Sequence, residues 1–279
     1  MSNINSSVLP GNQMSTQLGR AGGPSTGIGN AIGTKPGIPF ARLFHVELRK
    51  QVDTRASLAL IAIIVAGMLG FTAIELFIDS QGPKSFATFQ EVTLMPLLMF
   101  LPVIAILAVT SEWSQRTALV TFVWEPRRGR VIAAKFASAF LLAALGAILA
   151  LGIAALGTAL AGALGADVSW AFAPSKLAGL LTTLVLVVAQ GIAFGLLIQN
   201  TPGAIVAYFV LPTVMTMLST LVSWIGKYSD WIDLTFATMG VSSGEFTGAT
   251  ISRAAVAVSI WIILPGVLGL IRMWRREIK

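Results

Sequence analysis

SEWSQRTALVTFVWEPRRGRVIAAK, residues 111–135, separates two long apolar runs and carries Arg116, Arg127, Arg128, Arg130 and Lys135, five of the nineteen basic residues. Such an insert reads as a membrane-protein loop on the side where basic residues are retained. Wound as a helix, it places Trp113, Val120, Val123 and Trp124 on one face about 100° wide. Glu112 and Arg116 stand four residues apart, a helix-supporting pair. Glu125 precedes Pro126 and leaves the helical region. Arg127, Arg128 and Arg130 then gather around Gly129 as a basic turn that re-enters the membrane. Charge topology accounts for the arginines. Two tryptophans on an ordered loop helix call for a partner.

Working outward, the chain divides into apolar runs. It has 279 residues, 55% hydrophobic and 11% charged, against roughly 25% charged in a soluble domain. A span needs about 20 mostly apolar residues. Residues 56–74, 92–111 and 136–166 are uncharged, as are 177–226 and 254–271. Asn200-Thr201-Pro202-Gly203 cuts the longest run in two, because Pro and Gly after a polar pair make a turn. The expected fold is an all-α integral membrane protein with six transmembrane helices over residues 56–279. Pro96, Pro102, Pro212 and Pro265 fall inside spans and are expected to kink or interrupt them.

The flanks add three elements. Residues 1–39, rich in Gly, Pro and Ser, are expected to be a disordered cytoplasmic tail. In residues 40–55, Phe40, Phe44, Leu48 and Val52 line one helical face, while Arg42, Arg49, Lys50 and Asp53 occupy much of the other. This is the pattern of an interfacial amphipathic helix whose basic side chains meet anionic headgroups. Residues 223–253 are too polar to span and too aromatic for a plain loop. Trp224, Tyr228 and Trp231 suit a membrane–water interface. Short helices of a re-entrant-like outer segment are expected there.

Basic residues set the orientation. Lys84, Lys176, Lys227 and Arg253 flank one side, leaving fifteen of nineteen on the other. That bias places both termini in the cytoplasm of a multi-pass plasma-membrane protein. The same clustering at span ends argues against nucleic acid as a partner.

Chemistry within the spans is sparse. There is no cysteine and a single histidine, His45, so no catalytic, cofactor-binding or metal-ligating set is assigned. Glu75, Asp79 and Glu91 stand near span ends rather than at mid-depth, which counts against an ion-coupled transporter. Gln190, deep in a span, is expected to make a helix–helix hydrogen bond, and Ser259 and Thr216 helix–helix contacts. The small residues of the third span, Gly146 to Ala161, allow close helix approach.

Glu112-Trp113, Arg116-Thr117-Ala118-Leu119, Thr121-Phe122, Pro126-Arg127-Arg128-Gly129-Arg130 and Ala133-Ala134-Lys135 together resemble the loop of type-2 ABC transporter permease subunits. Glu47-Leu48-Arg49-Lys50 with Arg55 looks like their connecting helix. The resemblance covers residues 40–279. One departure is Arg116, where many members have Gly before the Thr. The resemblance implies a transport subunit that works with a separate ATPase, which binds ATP and Mg. No G-x-x-x-x-G-K-[ST] loop occurs in this chain. Glu112, Trp113, Arg116, Thr117, Val120 and Trp124 would then form the coupling helix that enters a groove on the ATPase. The 40–55 helix would complete the docking surface. Two ATPase copies and a second permease chain, identical or related, make the usual assembly. The expected activity is exporter-like alternating access for a lipophilic or amphiphilic substrate. The competing reading is a non-transporting membrane scaffold or immunity protein.

Overall fold

The computed structural model describes residues 39–78, 83–114 and 127–275. The loop positions Arg116, Thr117, Val120 and Trp124 lie outside the described residues, as does the expected tail up to residue 38. All the long elements are helices. In chain order they are α1 (Phe40–Asp53), α2 (Arg55–Phe77), α3 (Phe86–Ser114), α4 (Arg128–Ala163), α5 (Pro174–Ile198) and α6 (Thr201–Leu221). The short α7 (Ser223–Gly226), α8 (Ser229–Ile232) and α9 (Leu234–Ser242) follow. α10 (Gly248–Val258) and α11 (Leu264–Arg275) are joined end to end by a π turn, Ser259–Ile263. The expected six spans and short helices of the 223–253 segment are therefore present. Trp224, Tyr228 and Trp231 are exposed.

α3 is the hub, packed against α2, α4 and α5. Its Leu97, Leu101 and Ile104 meet Ile64 and Met68 of α2, an alanine stripe on α4 and Val188 and Ile192 of α5. The stripe, Ala139, Ala143, Ala147 and Ala150, recurs at helical spacing, so α4 presents its small face to α3. At Gly146 a Cβ would stand 2.7 Å from Leu97 Cδ1. Small residues on the third span thus serve close packing.

Several expectations are corrected. The helix that carries the third span begins at Arg128, eight residues ahead of the uncharged run. Arg128 and Arg130 lie in the first turn of a helix rather than in a re-entering turn. Arg and Lys are good helix formers, and Leu43 of α1 packs on Val131 and Ala134 of that stub. Pro96 and Pro102 lie inside the 29-residue α3 without interrupting it. The break before α6 falls at Gln199, whose φ of 55° ends α5. Asn200 then caps α6 by accepting from the Gly203 amide at 2.9 Å, and Pro202 sits in the first turn, where its missing N–H costs nothing. The last span runs from Gly248 to Arg275, started by a Thr247–Thr250 capping box. Its π turn lies just ahead of Pro265, whose absent N–H removes an α-type bond at that level.

Gln190 is buried, yet its amide nitrogen has no hydrogen-bond partner among the described residues. α5 meets α3 at this level through Gly191, where a Cβ would lie 2.7 Å from the Pro102 carbonyl oxygen. The Ser259 hydroxyl donates to Ala255 O of its own helix, not to a neighbour. Thr216 stands instead in a cleft between α6 and Thr235 at the start of α9.

At the end of the bundle away from α1, Lys84 ties the end of α2 to a short strand pair. Lys84 begins a two-residue parallel pairing of Lys84–Ser85 (β1) with Val168–Ser169 (β2). Its ammonium is buried and donates to the carbonyls of Glu75 and Ile78 at 2.6 and 2.7 Å. These are carbonyls that the end of α2 leaves without helical donors. Lys84→Met removes the donor from both carbonyls, and a loss of about 1 kcal/mol is expected. A fall in melting temperature in detergent checks it.

Candidate functional site

At the α1 end of the bundle, α1 and α4 meet along a seam of three rungs. Leu43 packs on Val131 and Ala134. One turn on, Lys135 Nζ donates to Glu47 Oε2 at 2.6 Å. One further turn on, Gln51 Nε2 donates to Ser138 Oγ at 2.6 Å. Residues 43, 47 and 51 recur every four positions and so share one face of α1. The partners rise through α4 in the same order. The 36 residues of α4 extend about 54 Å, well beyond a hydrocarbon core of about 30 Å. α1 is therefore braced against the charged stub of α4.

The middle rung is the centre of a four-charge cluster. Glu112, in the last turn of α3, lies 3.2 Å from Lys135 Nζ and accepts from Lys50 Nζ at 3.0 Å. Lys50 also donates to Glu47 Oε1 at 2.7 Å. Lys135 takes a third acceptor, the Ala108 carbonyl, at 2.9 Å. Glu47, Glu112 and Lys135 are 1%, 5% and 4% exposed, so a charge left alone there is costly. Two carboxylates and two ammoniums balance, and each ammonium touches both carboxylates. The cluster joins α1 to both roots of the loop, the end of α3 and the start of α4.

Burial alone would pull Lys50 down. The charges and hydrogen bonds of Glu112 and Glu47, led by the Glu112 charge, outweigh it and hold Lys50 above the ordinary lysine value. A lysine raised on folding adds stability at every pH below its unfolded pKa, and that part is lost as pH rises through the folded one. The Lys50 contribution is thus constant between pH 6 and 9 and fades only above the ordinary lysine value of about 10.4. Melting temperature against pH, wild type beside Lys50→Met, checks this: the gap between the two curves should hold from pH 6 to 9 and close on the alkaline side.

The sequence-derived positions are distributed as follows. On α1 the stripe Phe44, Leu48 and Val52 is half-buried and Phe40 exposed, while the deepest face, one position away, is Leu43, Glu47 and Gln51. The buried face is therefore distinct from the apolar stripe: Glu47 and Gln51 are inward because α4 supplies their partners, Lys135 and Ser138. Arg49 pairs with Asp53 at 2.7 Å on the exposed side. Lys50 is drawn into the cluster. The Glu112 carboxylate faces Lys50 and Lys135, and Trp113 continues the helix behind it. Glu47 and Lys135 were assigned no role from sequence. The signal was a Glu and a Gln on the same α1 face as Leu43, four residues apart.

Two further polar contacts serve the same end. Thr110 shares a 2.7 Å hydrogen bond with Thr201 at the head of α6. Arg272 of α11 donates to Leu197 O, at the end of α5, at 2.8 Å.

Six helices of 21 to 35 residues, with mean hydropathy between 1.8 and 2.6, are long and apolar enough to cross a membrane. The chain is a polytopic membrane protein. No protein-family model and no curated protein matches it. The function of this membrane protein is therefore argued from its own residues.

Proposed function

We propose that the chain is the membrane-spanning permease subunit of an ATP-driven ABC transporter, exporting a lipophilic or amphiphilic substrate while a separate ATPase hydrolyses ATP. The observation that carries this reading is the Glu47–Lys50–Glu112–Lys135 cluster. A partner pressing on residues 115–126 would load α3 and α4 at their roots, and the cluster would pass that load to α1. The Thr110–Thr201 bond offers a second path, into α6. This is what a subunit driven from outside requires, since ATP can shift a conformational equilibrium only by favouring one state.

Trp113, Arg116, Thr117, Val120 and Trp124 are proposed to contact the ATPase. Glu112 acts behind them, holding the loop to α1. A second permease chain finds support in α6. Only 17% of its apolar window is buried within this chain, and Thr213, Thr216 and Thr220 line a cleft of about 460 Å³ beside it. Hydroxyl-bearing faces suit contact with another helix better than lipid. The assembly is placed in the plasma membrane with both termini cytoplasmic.

The test is co-purification from the native host in gentle detergent, wild type beside a Trp113→Ala, Arg116→Ala, Trp124→Ala variant. This variant leaves the buried cluster intact. An ATPase retained by the wild type and lost by the variant is expected. A folded wild type that brings down no ATPase overturns the reading and leaves a non-transporting scaffold.

A further inference from the structure

Gln190 is 3% exposed, and its amide nitrogen is unpartnered among the described residues. Buried polar groups are nearly always hydrogen-bonded, so an exception within a span asks for a reason. Gln190 stands one turn from Phe194 on the same face of α5. Phe194 packs with Ile106 of α3 and with Ala204 and Tyr208 of α6. α5 and α6 are consecutive helices that meet at residues 199–200, so the turn of α6 that follows Tyr208 lies at the level of Gln190. That turn ends at Pro212. Pro212 has no N–H to give Tyr208 O. An amide donor without a partner and a carbonyl without its α-helical donor thus stand at one level.

Pro212 also divides α6 into unlike halves. Before it, Thr201 is bonded to Thr110, and Ala204 and Tyr208 are buried. After it only Ser219 is buried, and its hydroxyl too has no partner among the described residues. The cleft of about 460 Å³ lies along this second half, between Thr213, Thr216 and Thr220 and Thr235 of α9. A helix kinks at proline, and hinges are built from a few such positions that absorb a backbone change. The ring presses on the carbonyl four residues back, so a change of kink re-aims Tyr208 O. We propose that residues 213–221 are a hinged arm that swings at Pro212 to close the cleft against α9, and that the Gln190 amide latches the closed position by donating to Tyr208 O. The hinge belongs to this chain alone, whether or not an ATPase docks on the loop.

The chain has no cysteine, so Thr216→Cys with Thr235→Cys reports closure. A disulfide needs the two Cα atoms within about 7 Å. The rate of monomer-sized disulfide formation is read in the full chain in detergent. Gln190→Met, close to glutamine in shape, should slow it about three- to tenfold, the worth of one hydrogen bond. It should also raise the melting temperature, because an unmet amide leaves the interior. Pro212→Ala returns an N–H to Tyr208 O and should slow closure as much, with the double variant no slower than either single. A Gln190→Met chain that melts lower, closes as fast as wild type, or adds fully to Pro212→Ala overturns the latch. A wild-type background that forms no monomer-sized disulfide overturns the hinge.

Discussion

Lys135→Met should release α1 from the bundle and cost about 3–5 kcal/mol, the range for removing one partner of a buried ion pair. The loss is large because Lys135 touches Glu47 at 2.6 Å and Glu112 at 3.2 Å. Without it, two buried carboxylates share only Lys50, which is itself half in solvent. The Ala108 carbonyl also loses a donor. The Glu47→Gln, Lys135→Met pair should recover most of the loss, since Lys50 and Glu112 then balance alone. The chain lacks cysteine, so a pair introduced at Gln51 and Ser138 reports α1 docking directly. Cross-linking yield should fall in Lys135→Met and return in the double variant, in step with melting temperature. A Lys135→Met variant that cross-links as well as wild type would refute the cluster as the clamp.

At the opposite end the largest effect is expected from Gly179→Ala. A Cβ there would stand 2.2 Å from Val241 O, 2.7 Å from Ser242 O and 2.9 Å from Gly244 N, all backbone atoms. Backbone cannot rotate aside as a side chain does, so α9 must shift as a unit. Overpacking of this kind costs typically about 1–3 kcal/mol. Gly244 makes the reciprocal approach to Ser175 at a φ of +87°. Hydrogen exchange across residues 223–253 should rise in Gly179→Ala while the α1–α4 seam stays protected. Gly152→Ala provides the contrast. It lies in α4 with open space around it, and Ala should be neutral or stabilising by up to about 1 kcal/mol through helix propensity. Equal effects from both changes would show that the α5–α9 contact does not hold the segment.

These two sites mark what could be read from the chain. The spans were legible because an uncharged run of about 20 residues has few outcomes. The break near residue 200 was legible from Pro202 and Gly203, although the chain turns one residue earlier, at Gln199, because Asn200 is the better cap. The seam was not legible as a seam. Lys135 reads from sequence as topological charge, and Glu47 as one of many solvated charges on an amphipathic helix. Their pairing joins residues 88 apart, and no local period reports such a contact. The buried face of α1 was hidden for the same reason: hydrophobic periodicity finds the apolar stripe, and here the most buried face carries Glu47 and Gln51 beside Leu43.

The π turn before Pro265 sets an angle. Ser259–Ile263 takes one residue more than an α-turn of the same height. One residue is about 100° of rotation about a helix axis. Every side chain of α11 is therefore turned by that amount from where an uninterrupted α-helix would aim it. With the extra residue, Gly269 meets the backbone of Leu196 and Leu197, and Arg272 reaches Leu197 O. Without it, both would swing away from α5. The irregular turn works as a phase shifter: it lets one helix present one azimuth to the outer segment, where Trp261 donates to Ile232 O, and another to the end of α5.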